Sequence, residues 1–371
     1  MLVRFLSFAR LVLKRLGLLP LIKRWLYAPG GREAEAEARG WRYRLKLLIE
    51  QANFGAVTEV HDLPPIQGYW SNRYVLPLIQ SFGFAGLDDF WASEIASALG
   101  APSQADGARI LSLGSGNCDF EVKLVQRLKS MGYEAFRIDC MDVNAAMLER
   151  GRKAAASAAV AEYIAAVRAD FNSWHGAPGR YRAVLANQAL HHVVNLEGLF
   201  DAVAVTIGSE GRFIVSDLIG RNGHMRWPEA LTIVERFWAE LPPRYCFNRM
   251  TRTTSERFQN LDCSRAGFEG IRAQDILPLL AQRFGFTLFL PFGNAIDVFV
   301  DRAIGPNFDP EREWDRAFID RVHAADVEAL RSGRIKPTHM LATMTTDRTV
   351  PTRCPEGLSP AACVRRVESS A

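Results

Sequence analysis

Short apolar runs alternate with longer amphipathic stretches through the middle of the chain, from about residue 105 to 220. The short runs are rich in β-branched residues and predict strands, whereas the stretches at 121–131 and 144–159 carry apolar positions at helical spacing. This alternation is typical of a doubly wound, mostly parallel α/β sheet with helices on both faces. The predicted strands lie near residues 109–114, 136–142, 164–169, 181–187 and 211–217.

The flanks of this region follow other patterns. Residues 286–292 and 295–301 are apolar and are separated by Gly293 and Asn294, which predicts a terminal antiparallel hairpin at the sheet edge. Another helix is predicted at 311–331, and the residues after 345 show no periodicity. The predicted organisation is an amphipathic segment at 1–28, a helical region or lid at 32–104, a central domain at 105–303, a helical extension at 304–345 and a flexible tail at 346–371.

The first nineteen residues have the pattern of a basic amphipathic helix. Mainly leucines fall on one side at about 100° per residue, and the other side holds Arg4, Ser7, Arg10, Lys14 and Arg15. The uncharged runs are too short to span a bilayer or to form a signal-peptide core. Such a helix either lies on an anionic membrane surface or packs on the protein itself or on a dimer partner, and both alternatives stay open.

Composition limits the class of protein. Of the 371 residues, 48% are hydrophobic and 23% are charged, which allows a well-buried core. The net charge of +4 arises at the N-terminus, because the first thirty residues hold six basic residues and no acid, so the body does not resemble a nucleic-acid-binding protein. The six cysteines are scattered, and their spacings predict neither a metal site nor a disulfide framework. We expect a cytoplasmic protein, at the inner face of the membrane if residues 1–19 bind it.

The strongest local signal is a glycine turn between a strand and a helix. The apolar run at 110–113 leads into Gly114, Ser115, Gly116 and Asn117, and a helical pattern follows. In a doubly wound sheet this first turn lies where ligands bind, and glycine lets the backbone approach a ligand without a Cβ in the way. The turn by itself is also compatible with a plain strand-to-helix connection.

Polar residues follow the next three strands at the same edge of the sheet. Asp142, next to Val143, is placed to accept hydrogen bonds from both hydroxyls of a ribose. Asp170 and Phe171 suit the amino group and the ring face of an adenine. Either aspartate alone is equally an ordinary helix N-cap. The fourth strand ends in Asn187 and Gln188, followed by His191 and His192. The ordered set indicates a site for an adenosine-containing cofactor.

The charge of the glycine turn distinguishes two such cofactors. A dinucleotide site has a third glycine at the position of Asp119, where the helix N-terminus meets the pyrophosphate. Asp119 and Glu121 would both repel a pyrophosphate. They are compatible with the sulfonium and α-ammonium groups of S-adenosylmethionine, which we therefore expect as the cofactor instead of NAD.

The segment from about 109 to 302 resembles the class I S-adenosylmethionine-dependent methyltransferases. The glycine turn, the acid after the second strand, the Asp-Phe after the third, the Leu-His-His after the fourth and the terminal hairpin all match that family. Two positions depart from it, because the family often has an acid at the position of Ser112 and a glycine at that of Cys118. The resemblance therefore implies that the methionine end of the cofactor is held differently here, through Glu121.

Residues outside that segment resemble, less specifically, bacterial methyltransferases associated with polysaccharide assembly. The matching stretches are 62–65, 69–73 and 305–309. This second resemblance implies a small-molecule acceptor such as a saccharide or a lipid-linked glycan. The aromatic stretch at 69–74 is predicted either to cover the site as part of a lid or to pack against the sheet.

An alcohol acceptor must lose a proton, and histidine is the usual base near neutral pH. His191 and His192 follow the fourth strand and Asp217 ends the fifth, an arrangement that resembles small-molecule and sugar O-methyltransferases. The resemblance implies catalytic roles for these three residues, although a histidine here is also typical of simple helix packing. The resemblance also implies that the insertion after the fifth strand, which includes residues 220–227, Arg244 and Arg249, covers the acceptor. Its arginines and aromatic residues either bind a sugar that bears a carboxylate or a phosphate, or are surface charge on a helical insertion.

The leading hypothesis is a methyltransferase that methylates a hydroxyl oxygen. Two alternatives belong to other classes. A binding or scaffold protein would keep the fold without catalysis, and the departures at Ser112 and Cys118 leave this alternative open. An NAD-dependent oxidoreductase would share the sheet, but it would need the third glycine that this chain lacks.

Overall fold

A computed structural model describes Gly40, Tyr43, Leu47 and residues 63–265 and 267–365. The amphipathic segment predicted at 1–19 therefore lies outside the described residues, as does the end of the predicted tail. No helix in the described part of the chain is long and apolar enough to cross a membrane.

A seven-stranded sheet organises the described chain, and its strands are β1 (Ala108–Leu113), β2 (Phe136–Asp142), β3 (Ile164–Arg168), β4 (Ala183–Asn187), β5 (Arg212–Leu218), β8 (Gly285–Phe292) and β9 (His339–Thr345). Their order in the sheet is β3-β2-β1-β4-β5-β9-β8. The first five strands are parallel, β9 is antiparallel to β5, and β8 is antiparallel to β9. A separate two-stranded ribbon consists of β6 (Phe247–Asn248) and β7 (Thr253–Thr254). The predicted fold class and its five parallel strands are confirmed.

Helices connect and cover these strands. Within residues 63–265 and 267–365 they are α1 (Pro65–Trp70), α2 (Leu76–Ser81), α3 (Leu87–Leu99), α4 (Asp119–Ser130), α5 (Ala145–Ser157), α6 (Leu196–Ile207), α7 (Pro228–Trp238), α8 (Ala273–Arg283), α9 (Asp297–Val300), α10 (Glu313–Arg331) and α11 (Pro360–Cys363). A π-helical turn, Ser71–Val75, joins the first two. The helices predicted at 121–131, 144–159 and 311–331 correspond to α4, α5 and α10.

The two faces of the sheet bury separate apolar cores. Successive side chains of a strand point to opposite faces. Ile110 of β1 accordingly packs in one cluster with Trp91 of α3 and Val125 of α4, whereas the adjacent Leu111 packs in another with Phe200 of α6. This burial on both faces explains the apolar runs of the central strands.

The hairpin predicted from 286–292 and 295–301 is wrong in its second strand. Residues 295–301 contain the short helix α9, and β8 pairs instead with β9, which lies beyond α10. The apolar run is ambiguous, because a fully buried helical turn and a buried strand have the same pattern. Here the Asp326 carboxylate accepts the Ala295 N–H at 2.7 Å, and Phe299 is fully buried among the C-terminal helices.

Part of the segment 346–365 lies along the outer side of β8. The Phe289 N–H donates to the Arg353 carbonyl at 2.9 Å, and the Arg353 N–H donates to the Thr287 carbonyl at 3.1 Å. Cys363 of α11 is buried in the same core as β8. The segment predicted as a tail is thus held to the sheet edge at Arg353 and to the adjacent core at Cys363, and Arg365 pairs with Glu229 of α7 at 2.9 Å.

Candidate functional site

The glycine turn is shaped by two left-handed backbone positions. Gly114 has φ +69° and Gly116 has φ +53°, values that side chains disfavour. The N–H groups of Gly114 and Ser115 both donate to the Met141 carbonyl at the end of β2, at 2.9 and 3.1 Å. A Cβ at position 114 would lie 2.9 Å from the Cβ of Ala189. The turn therefore needs glycine, and its backbone joins the ends of β1, β2 and β4.

Asp142 connects this turn to the next helix. One carboxylate oxygen accepts the Gly116 N–H at 3.0 Å and the other accepts the Asn144 N–H at 2.7 Å. Burial raises the pKa of Asp142, while these backbone N–H groups lower it. A carboxylate has about four lone-pair sites, so capacity remains for further donors.

A cavity of about 300 Å³ opens where these strands end. The residues predicted for the cofactor all line it: Gly114, Ser115, Gly116, Asn117, Glu121, Asp142, Val143, Asp170, Phe171, Asn187 and Gln188. Of the residues predicted for catalysis, His192 lines the cavity, whereas the lining does not include His191 or Asp217. The structure thus brings the four predicted strand ends together around one space.

The Glu121 carboxylate lies beside Ser112 of β1, the strand position at which the family often has an acid. Its carboxylate accepts a hydrogen bond from the Ser112 hydroxyl at 2.5 Å, so the acid reaches the strand position from the first turn of α4. Burial raises the pKa of Glu121 to about 7. Its second oxygen and the Ser115 hydroxyl are buried without a partner among the described residues. Buried polar atoms of this kind need a partner, so this wall suits a polar ligand with donor groups.

Asp170 is already hydrogen-bonded to a residue that the sequence did not single out. The Tyr43 hydroxyl contacts both Asp170 oxygens at 2.9 and 2.8 Å, and Asn172 donates to Asp170 through its backbone and side-chain amides. Burial and the neighbouring Asp170 charge raise the pKa of Tyr43, which keeps the phenol protonated as the donor. Tyr43 also lines the cavity and belongs to the helical region before it.

His191 is buried and held by Asp217. The His191 Nδ1 lies 2.7 Å from one Asp217 oxygen, and the other oxygen accepts the N–H groups of Ala189 and Leu190 at 2.8 and 2.7 Å. Burial opposes ionisation of both groups, but their mutual attraction prevails: the pKa of His191 is raised and that of Asp217 is lowered. Asp217 therefore fixes the orientation of the His191 ring from outside the cavity.

His192 has a different environment from its neighbour. Its Nδ1 lies 3.1 Å from the Phe268 carbonyl oxygen, which only accepts hydrogen bonds. Nδ1 must then carry the proton, so Nε2 keeps its lone pair. Burial and the adjacent His191 charge lower the pKa of His192 to about 4. The ring is therefore neutral near pH 7, and its Nε2 is unprotonated.

Two further residues join the histidines and were not predicted to be part of the site. Glu269 lines the cavity and lies 3.1 Å from the His224 Nε2 and 3.7 Å from the His191 Nε2. Although burial acts to raise it, the hydrogen bond from His224 and the histidine charges lower the pKa of Glu269 to about 2. Glu269 belongs to no motif in the sequence, and His224 was noted only as part of the insertion after β5.

A known protein family matches the part of the chain that contains the glycine turn and the ends of β2, β3 and β4. Residues 110–211 match the family model described as Methyltransferase domain. The chain carries a methyltransferase domain. The match agrees with the resemblance to class I S-adenosylmethionine-dependent methyltransferases, and it supports the enzyme class and the cofactor expected from the sequence.

The chain is similar, at low sequence identity, to solved methyltransferase structures. A geranyl diphosphate C-methyltransferase from Streptomyces coelicolor A3(2), solved with Mg²⁺, geranyl diphosphate and S-adenosyl-L-homocysteine, shares 14% identity at a TM-score of 0.39, over 70% of this chain and 79% of its own. An S-adenosylmethionine-dependent methyltransferase from Mesorhizobium loti shares 16% identity at a TM-score of 0.37, over 65% of this chain and 91% of its own. The search of curated proteins gave no significant match.

The arginines and aromatic residues that were predicted to cover the acceptor contact other parts of the protein instead. Arg226 is buried and pairs with Asp297 at 3.2 Å, while Arg244 lies over the Tyr245 ring and Arg249 bonds to Asn307. None of these arginines lines the cavity. The aromatic stretch at 69–74 packs on α10, where Trp70 donates to His323 and Tyr74 stacks on the same ring.

The described cavity wall of the methyltransferase domain is acidic. It includes no lysine or arginine among the residues that the structure describes. Its carboxylates come from Asp119, Glu121, Asp142, Asp170 and Glu269. This charge suits the positive sulfonium and ammonium groups of the cofactor and is unfavourable for an anionic ligand.

Proposed function

We propose that the protein transfers the methyl group of S-adenosylmethionine to a hydroxyl oxygen of a small molecule, with a saccharide or a lipid-linked glycan as the acceptor class. The observation that carries this proposal is His192. A neutral imidazole with a free Nε2 lines the same cavity as the glycine turn. A base of this kind is what a hydroxyl acceptor needs and what a carboxylate acceptor does not.

In the proposed step, the acceptor oxygen attacks the methyl carbon in line with the departing sulfur. The O–C bond forms as the C–S bond breaks, which leaves S-adenosylhomocysteine. The hydroxyl proton passes to the His192 Nε2. Positioning supplies much of the rate in such a displacement, and the backbone of the glycine turn together with Asp142 would position the cofactor.

The proposed acceptor presents a neutral region to the cavity. No cationic side chain is found in the described lining, whereas five carboxylates are present. The arginines that the sequence suggested for a charged sugar form ion pairs and stacking contacts elsewhere. The uncharged hydroxyls of a saccharide therefore fit this wall better than a phosphate or a carboxylate.

Labelled methyl transfer tests this function. Purified protein is incubated with methyl-labelled S-adenosylmethionine and with fractionated small-molecule and lipid extracts, and labelled products are identified by mass spectrometry. We expect a methyl ether, stable to alkali. A labelled ester, amine or C-methyl product would contradict hydroxyl methylation, and S-adenosylhomocysteine binding without any transfer would favour the scaffold alternative.

We further propose roles for the cofactor residues. Asp142 accepts the ribose hydroxyls, Glu121 accepts the α-ammonium group, and Asp170 with Phe171 contacts the adenine. The two unpartnered atoms, Glu121 Oε2 and Ser115 Oγ, support placing the polar methionine end beside them. Because Asp170 already accepts the Tyr43 hydroxyl, the adenine amino group would share this carboxylate with Tyr43.

Binding of S-adenosylhomocysteine is expected to weaken as the pH falls from 7 to 6. Burial raises the pKa of Glu121 to about 7, so the free protein loses this negative charge over that interval. One coupled proton changes affinity by at most about tenfold per pH unit. Calorimetry over pH 6–8 measures the effect. Glu121→Gln, which cannot ionise, is the control and should show a flatter profile; equal profiles for both proteins would disprove the contact.

For location, we propose that residues 1–19 attach the protein to an anionic membrane surface. The support is the sequence pattern: its basic residues each add about 1 kcal/mol near such a surface. Deleting residues 1–28 should abolish sedimentation with anionic vesicles at low salt and leave S-adenosylhomocysteine binding intact. If the full chain does not sediment with vesicles, or if the truncated chain does not fold, the segment is structural instead.

A further inference from the structure

Three side chains beside the cavity present potential metal ligands to one another. His191 lies in the turn Leu190–His192 after β4, His224 in the turn Asn222–His224 after β5, and Glu269 in the segment before α8. Their ligand atoms all lie within 4.8 Å of one another. We propose that His191, His224 and Glu269 bind a divalent first-row transition metal ion at the acceptor side of the cavity.

The distances suit such an ion. The Glu269 Oε2 lies 3.7 Å from the His191 Nε2 and 3.1 Å from the His224 Nε2. A tetrahedral zinc ion with ligands at about 2.05 Å separates its ligand atoms by about 3.3 Å. The two separations from Glu269 lie on either side of that value, and all three ligand atoms lie within 4.8 Å of one another, so the cluster needs only side-chain adjustment to bind an ion. Three protein ligands also leave a position for a water or substrate oxygen, as in catalytic zinc sites.

Asp217 supplies the outer support that metal-binding histidines usually have. A ligating histidine typically donates its other ring N–H to a carboxylate, which fixes the ring and its tautomer. The His191 Nδ1 lies 2.7 Å from Asp217, and Asp217 is itself held by the N–H groups of Ala189, Leu190 and Leu218. With Nδ1 donating to Asp217, Nε2 carries the lone pair on the side of Glu269.

The backbone brings the three segments together. The Gly223 N–H donates to the Gly270 carbonyl at 2.8 Å, and the Ile271 N–H donates to the His191 carbonyl at 3.2 Å. A Cβ on Gly270 would lie 3.1 Å from the Gly223 nitrogen, so the chains are in close contact. His224 itself has φ +57°, a left-handed conformation that non-glycine residues rarely adopt. Such strain is typical of functional positions.

The chemical types of the three ligands indicate which class of metal ion would bind. Two imidazoles and one carboxylate suit zinc or iron(II), whereas magnesium and calcium prefer oxygen ligands. The sequence predicted no metal site, because its cysteine spacings are not those of a zinc motif. The histidine and glutamate ligands come from three separated segments, so no sequence spacing reveals them.

A metal ion here would deepen the proposed function, on which this consequence rests. Glu269 belongs to both the cluster and the cavity wall, and His192 lines the same wall. An ion held by these residues would act as a Lewis acid and lower the pKa of a bound acceptor hydroxyl, while His192 would remain the group that accepts the proton. Metal binding itself does not depend on the acceptor or on the reaction.

Zinc titration of the full, tag-free chain tests the site. The protein is first stripped with a chelator, and ZnCl₂ binding is then measured by calorimetry together with metal analysis. We expect one ion per chain. His224→Ala and Glu269→Gln should each weaken zinc binding by at least about 100-fold, the upper end of what losing even an outer-shell partner costs. The exposed His175 is outside the cluster, so His175→Ala is the matched control and should bind zinc like the wild type.

Two readouts separate a missing site from a misfolded variant or a failed function. S-adenosylhomocysteine binding by His224→Ala, whose side chain is not part of the cavity lining, should stay within a few-fold of wild type, and thermal unfolding reports the folded state of Glu269→Gln. Cobalt(II) in place of zinc should give a tetrahedral spectrum without a thiolate charge-transfer band. No zinc binding by the wild type, unchanged binding in both cluster variants, or a thiolate band from the cysteines would overturn the site while leaving the methyltransferase assignment in place.

Discussion

Replacing His192 with alanine should lower turnover by ~10²–10⁴-fold, the range that a positioned general base contributes. The physical reason is the proton on the acceptor hydroxyl. In the native site, the Phe268 carbonyl keeps the His192 proton on Nδ1 and leaves Nε2 to accept. Without this ring, the attacking oxygen keeps its proton as the C–O bond forms. Cofactor affinity should stay near normal, because the proposed cofactor contacts come from other residues.

The measurement is single-turnover methyl transfer alongside calorimetry with S-adenosylhomocysteine. His175→Ala serves as the control because His175 is exposed and lies outside the cavity lining. His191→Ala and the double variant extend the test to the neighbouring ring. Wild-type rates in both single variants and in the double variant would show that neither histidine is the base.

Asp142→Ala should weaken S-adenosylhomocysteine binding by about 1.5–3 kcal/mol, the scale of hydrogen bonds to a charged group. The Asp142 carboxylate contributes to the affinity for the cofactor in two ways. It is the proposed acceptor for the ribose hydroxyls, and it also receives the N–H groups of Gly116 and Asn144. Its loss therefore removes a direct contact and loosens the glycine turn.

Calorimetry with S-adenosylhomocysteine and, separately, with NAD measures how much Asp142 contributes to cofactor binding and which cofactor the protein binds. Asp106→Ala is a suitable control, because Asp106 is exposed and precedes β1 at the opposite end of the strands. Thermal unfolding of each variant reports its folded state. Unchanged affinity in Asp142→Ala, or tight NAD binding by the wild type, would be incompatible with the proposed role of this carboxylate.

The parallel half of the sheet was predictable because each strand and helix is a local pattern. The antiparallel half was not. β8 was recognised as a strand, but its neighbour β9 comes after α10, and the choice of partner depends on packing between distant segments. The apolar run at 295–301 looked like the missing strand because burial on all sides removes the periodicity that separates helix from strand.

The site likewise combines residues that local sequence patterns predict with residues whose positions depend on distant contacts. The residues at the strand ends were predictable, since the carboxyl ends of parallel strands meet at one edge and the chain order fixes which residues arrive there. Tyr43, His224 and Glu269 come from connecting segments whose positions depend on tertiary bonds, such as that between Ile271 and His191. The role of Glu121 was inferred from a missing acid, and its hydrogen bond with Ser112 is consistent with that inference.

The position of β9 between β5 and β8 has a consequence for synthesis on the ribosome. β9 is the last strand of the sheet to be translated, yet it occupies an interior place. Until it emerges, β5 and β8 each present a row of unpaired backbone groups, which are templates for pairing with other chains. If synthesis stopped between residues 292 and 339, the released chain would contain β5 and β8 without β9. Both strand edges would be unpaired, so such a truncated chain should be especially prone to aggregation.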